Sequence, residues 1–134
     1  MSRVQPVWDG LVTVLQTLPS PIRVYADRPP RLETPCLFPV LLSGTAEMSN
    51  ACTVRDRLQL GVVLAVGEAD TAERGSVARG YFDSLLDVLD TELTTHQPFG
   101  AEFGTRTGIT ALQGFAEAAF AWQANLELRV TQAF

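Results

Sequence analysis

Lysine is absent: all ten cationic side chains are arginine, set against fifteen carboxylates for a net charge of −5. An acidic chain without a basic cluster does not suit nucleic-acid binding, which needs several cations on one face to release counterions. Histidine occurs once, at His96, and cysteine twice, at Cys36 and Cys52, with no C-x-x-C spacing. Zinc would lack ligands in such a chain. His96 borders a proline segment that ends a helix and reads as a solvated loop residue, since a catalytic base needs a positioned partner. Cys36 and Cys52 read as small apolar fillers; they flank one expected hairpin, so a bridge between them stays geometrically open. No apolar run approaches the roughly 20 residues that cross a bilayer. The opening Met1-Ser2-Arg3-Val4-Gln5-Pro6 lacks the continuous apolar stretch of a secretion signal, so a soluble intracellular protein is expected. The G-x-G-x-x-G, G-x-x-x-x-G-K-[ST] and G-x-S-x-G patterns are all missing, and neither Ser43-Gly44 nor Gly100–Gly108 fits a phosphate cradle. No catalytic, cofactor-binding or metal-binding residue is expected, and the chain does not read as an enzyme.

What is present is a well-patterned scaffold. With 134 residues, 46% of them apolar, the chain is long enough for one domain, residues 1–134, with a core that needs no staples. The clearest signal is at the end, Ala121–Thr131. Trp122, Ala124, Leu126, Leu128 and Val130 alternate with Gln123, Asn125, Glu127, Arg129 and Thr131, the period of a strand with one dry and one wet face. At the other end, Val4, Val7, Trp8, Leu11, Leu15 and Leu18 have helical spacing. Ser2 and Gln5 stand at capping-box distance, Pro6 falls in the first turn, and Pro19-Ser20-Pro21 stops the helix. Gly10 and the β-branched Val12, Thr13 and Val14 weaken its intrinsic propensity, so packing must hold it.

Between these ends, Ile22–Ala26 reads as a short strand and Cys36–Leu42 as another, with Pro39 placing the latter at an edge or a bulge. Ser43–Thr53 is small, polar and turn-like. Arg55–Val66 is a long strand whose second face turns apolar toward its end, as if covered on both sides. A second helix runs from Asp70 or Thr71 to about Thr94, with Asp70 and Glu73 at capping-box spacing. Its stripe is Val77, Tyr81, Phe82, Leu85, Leu86, Leu89 and Leu93. Gly75 and Gly80 cost this helix about 1 kcal/mol each relative to alanine and read as points of close approach to the sheet. Gly104–Gly108 reads as loop, Ile109–Gly114 as a weak strand and Phe115–Ala119 as a turn. The order α-β-β-β-α-β-β predicts an α+β domain: an antiparallel or mixed sheet of four to five strands with two main helices packed on it.

Interface candidates are charged. Asp83, Asp87 and Asp90 line one face of the second helix with Arg79 a turn earlier, either a solvated face or an acidic stripe for a neighbouring subunit. Arg55 and Arg57 share one strand face, ordinary surface or a contact for a partner's carboxylates. Trp8, Phe82, Phe120 and Trp122 read as core. A different class of function, a small dimeric α+β ligand-binding or enzyme domain, would need a pocket lined by Trp8, Tyr81 and Trp122 with Asp83 or His96 as anchor.

The layout resembles the tail terminator proteins of long-tailed bacteriophages, the family that includes the minor tail protein U of lambda. The features that carry the resemblance are the opening helix Val4–Leu18, the Val24-Tyr25-Ala26-Asp27-Arg28-Pro29-Pro30 segment and the strand pair around Ser43–Thr53. The helix Asp70–Thr94 and the closing strand Phe120–Val130 complete it. The resemblance implies a homo-hexameric ring in the virion, assembled in the host cytoplasm. Such a ring ends tail-tube polymerisation and joins the tail to the head-side connector. Its partners would be copies of itself, the tail tube protein and the connector, with DNA passing through unspecifically and no membrane. An acidic ring suits a channel to which DNA must not adhere. It implies no catalytic residue and no cofactor. The Ser43–Arg57 hairpin would then serve ring or tube contacts and the Asp83/Asp87/Asp90 face the subunit seam. A head-tail adaptor or neck protein of the same particle is the alternative role.

Overall fold

A computed structural model describes residues 4–18, 22–31, 33–50, 53–67, 75–112 and 120–133. The elements are α1 (Val4–Leu15), β1 (Arg23–Val24), β2 (Cys36–Asn50), β3 (Thr53–Val66), α2 (Gly75–Leu93), a 3-10 turn (Pro98–Gly100), β4 (Phe103–Ala111) and β5 (Phe120–Ala133). They make one five-stranded mixed sheet in the order β1-β2-β3-β5-β4, with only β1–β2 parallel. The expected α+β class and element order both hold.

The alternation in β3 and β5 decides which face is dry. Leu58, Leu60, Val62 and Leu64 stand opposite Leu128, Leu126, Ala124 and Trp122. Against them α1 buries Val7, Leu11 and Leu15, and α2 buries Ala78, Phe82, Leu85 and Leu89. Full burial of each such leucine contributes about 1.5–3 kcal/mol, which offsets the weak helical propensity of α1. Trp8, Tyr81 and Trp122 pack partly buried on this core, and the Phe82 and Trp122 rings lie 5.4 Å apart. The far end of β3 is enclosed on both faces, because Val63 and Ala65 are as inaccessible as Leu64 and Val66.

Several boundaries differ from the sequence expectation. α1 ends at Leu15: the last i→i−4 bond runs from the Gln16 N–H to the Val12 carbonyl, and the chain then tightens into a turn, with the Leu18 N–H donating to the Leu15 carbonyl. β1 is only two residues long. β2 does not end at Leu42: Ser43–Asn50 stays paired with β3 after a bulge at Leu41/Ser43. The segment read as turn-like is therefore most of one arm of a long hairpin. Gly104–Gly108 is likewise strand, inside β4, which ends at Ala111, with Gly114 outside the described residues. Pro39 lies two residues beyond Leu37, where pairing with β1 ends, with no strand on its outer side among the described residues, and it is buried. Gly80 has open space where a Cβ would stand, so it marks no approach to the sheet. Ser2, Cys52, Asp70, Glu73 and Phe115–Ala119 lie outside the described residues, as does the Phe120 side chain.

Candidate assembly surfaces

Strand register gathers an ionic cluster on the face of the sheet away from the helices. Arg57 stands directly opposite Arg129, a pairing of like charges that is unfavourable by itself. Glu127, two residues before Arg129, resolves it: its Oε1 lies 2.9 Å from Arg57 Nε and 3.9 Å from Arg129 Nη2. One same-face step along β3, Arg55 Nη2 donates to Glu102 Oε1 at 3.2 Å. The Arg129 guanidinium lies 5.8 Å from the centre of the Phe103 ring, within cation–π range. Arg55, Glu102, Phe103 and Arg129 enclose a cleft of about 320 Å³. Among the described side chains the patch holds three arginines and two glutamates, and the strand register sets Glu47 of β2 level with Arg55.

The helix layer carries carboxylates of its own. Asp90 takes a two-pronged bond from β4, accepting from Arg106 Nε at 2.8 Å and from Nη2 at 3.1 Å. That carboxylate hydrogen bond holds the Arg106 guanidinium above its ordinary value, against a smaller opposing effect of burial. Asp83 and Asp87 are exposed. Beside them, Val14, Thr17, Asp87, Val88, Thr91, Glu92 and Thr95 line a groove of about 380 Å³ between the two helices.

The six charged candidates thus divide. Arg55, Arg57 and Asp90 are engaged within the subunit, whereas Arg79, Asp83 and Asp87 are exposed. The partners Glu102, Arg106, Glu127 and Arg129 were missed, because only strand register reveals which residues across the sheet they face. Of the residues a ligand pocket would need, Trp8 donates its indole N–H to the Ala26 carbonyl at 2.6 Å, which ties α1 to the segment after β1. His96 is exposed and lines a separate depression with Gln97, Gly100, Glu102 and Val130. Among the described residues no three His, Cys, Asp or Glu side chains converge as metal ligands, and no helix is long and apolar enough to span a membrane.

The sheet's two boundaries complete the surface. Beyond Leu37, β2 has no neighbour on its outer side among the described residues, and β4 has none outside β5. The four large apolar side chains that stay exposed among the described residues are Leu41, Leu42, Phe103 and Ile109, each about half accessible. All four belong to these two strands. No protein-family model and no curated protein matches the sequence.

Proposed function

We propose that this chain is a structural subunit that closes with copies of itself into a ring, in the role of a tail terminator. That ring, a hexamer by the resemblance, ends polymerisation of a tail tube and presents its other surface to a head-side connector, with DNA passing through it. The observation that carries the reading is that, among the described residues, the exposed large apolar side chains all lie on β4 and on the part of β2 beyond β1. An isolated monomer protects such edges or keeps them polar, and apolar side chains on open edges mark surfaces that another polypeptide covers. The two edges differ in sequence, and a ring needs two different complementary patches on every subunit. The role asks for shape and docking and for no bond-making chemistry.

Light scattering and electron microscopy of the purified protein test it. The expected result is a closed particle of uniform size that stops tube growth when added to polymerising tube subunits. A monomer at every concentration, without effect on tube length, overturns it.

A further inference from the structure

We propose that copies of this chain join by antiparallel pairing of the free edge of β2 in one copy with the free edge of β4 in the next. The inference rests on the ring reading above and names its seam.

Strand direction carries the argument. β2 is antiparallel to β3, β3 to β5, and β5 to β4, so β2 and β4 run in opposite directions at opposite sides of the sheet. A rotation about an axis along the strands preserves strand direction. It therefore sets β4 of one copy antiparallel to β2 of the next, the more stable of the two pairing modes. Repeating the step consumes one edge of each kind per copy, and closure leaves none open. Pairing of β4 with β4, or β2 with β2, is isologous and leaves one kind of edge open in a dimer.

Length and register agree. β4 spans nine residues, and beyond the two residues that β1 covers, β2 runs on from Phe38 to Asn50, long enough to face all nine. Across the sheet, Ile109 is level with Pro39 through Ala124 and Val62, and Thr105 is level with Ser43 through Glu127 and Gln59. Staggering neighbouring copies by one same-face step, as closed sheets require, sets Ile109 opposite Leu41. The same register sets Thr105 opposite Thr45. The bulges at Leu41/Ser43 and Arg106/Gly108 add one residue to each strand over this interval, so the two faces stay in phase. Ile109 and Leu41, each about half exposed in the single copy, then cover one another.

Disulfide trapping decides it. In a Cys52→Ser background, Thr45→Cys and Thr105→Cys are made separately and together. Under mild oxidation the double variant is expected to give a ladder of covalent multimers, each single variant none, and an equal mixture of the two singles a covalent dimer. Ile109→Lys, at an exposed position, is expected to lower self-association at least tenfold, with an unchanged melting temperature at dilutions where both proteins are monomers. Two outcomes overturn the seam while leaving the ring reading intact: rings without a bond in the mixture, or rings indifferent to Ile109→Lys. A covalent dimer from Thr105→Cys alone replaces it with isologous pairing. A monomer at every concentration overturns the seam and the ring reading together.

Discussion

Two glycines on the two helices look alike in sequence, and their surroundings give substitutions there opposite signs. A Cβ at Gly10 would lie 2.6 Å from the carbonyl oxygen of Phe99 and 2.9 Å from its carbonyl carbon, both backbone atoms. Phe99 cannot easily yield. It is buried at positive φ (54°), in a turn closed by hydrogen bonds from Gly100 to Gln97 and from Ala101 to Pro98. Gly10→Ala is therefore expected to destabilise by about 1–3 kcal/mol through overpacking, more than the roughly 1 kcal/mol that alanine adds to a helix. Gly80, with nothing near it, gives that helical gain alone, and Gly80→Ala is expected to stabilise by about 1 kcal/mol. Urea unfolding of the two variants checks both signs at once. Trp8→Phe keeps an aromatic ring and removes the donor to the Ala26 carbonyl, for an expected loss of about 0.5–1.5 kcal/mol by the same measurement.

Among the elements, legibility tracks burial. β5 and the inner half of β3 announce themselves because one face is dry, which imposes a period of two on their sequences. The helices are legible for the same reason at a period near 3.6. Ser43–Asn50 and Phe103–Gly108 gave no such signal. Ser43–Ala46 and Thr105–Thr107 are exposed throughout, and those strands exist through backbone pairing with β3 and β5 rather than through side-chain burial. The charged cluster was half legible. Alternation placed Glu127 and Arg129 on the wet face, but their meeting with Arg57 depends on register, which no single segment encodes. The Arg106–Asp90 pair is of that kind, and it clips α2 to β4. Asp90→Asn is expected to cost less than about 1 kcal/mol, because both groups are partly solvated and exposed pairs gain little. The sign of its pH dependence follows from the raised Arg106 value. That contribution is complete below the ordinary guanidinium range and is lost only as pH rises through the raised value. Stability measured between pH 6 and 9 should show no transition owed to Arg106.

For the whole molecule, the choice lies between two kinds of seam. Charge complementarity between the arginines of the sheet face and the exposed Asp83 and Asp87 would also join copies heterologously, and it is one of the two readings the sequence leaves open for those aspartates. Such a contact depends on exposed ions, whose attraction fades beyond a screening length of about 10 Å at 0.1 M salt and 3 Å at 1 M. A seam of backbone hydrogen bonds and paired apolar side chains carries little net charge across it. Excluded salts such as sulfate strengthen apolar burial instead. Arg55 and Arg57 already face glutamates of their own subunit, which further reduces what a neighbour's carboxylates gain there. Self-association measured by sedimentation from 0.05 to 0.5 M sodium chloride is therefore expected to change less than threefold, and to tighten in sodium sulfate. Asp83→Asn together with Asp87→Asn should leave the association constant within the same threefold. A fall of tenfold or more with salt, matched by a similar loss in that double variant, would move the seam from the sheet edges to the charged faces.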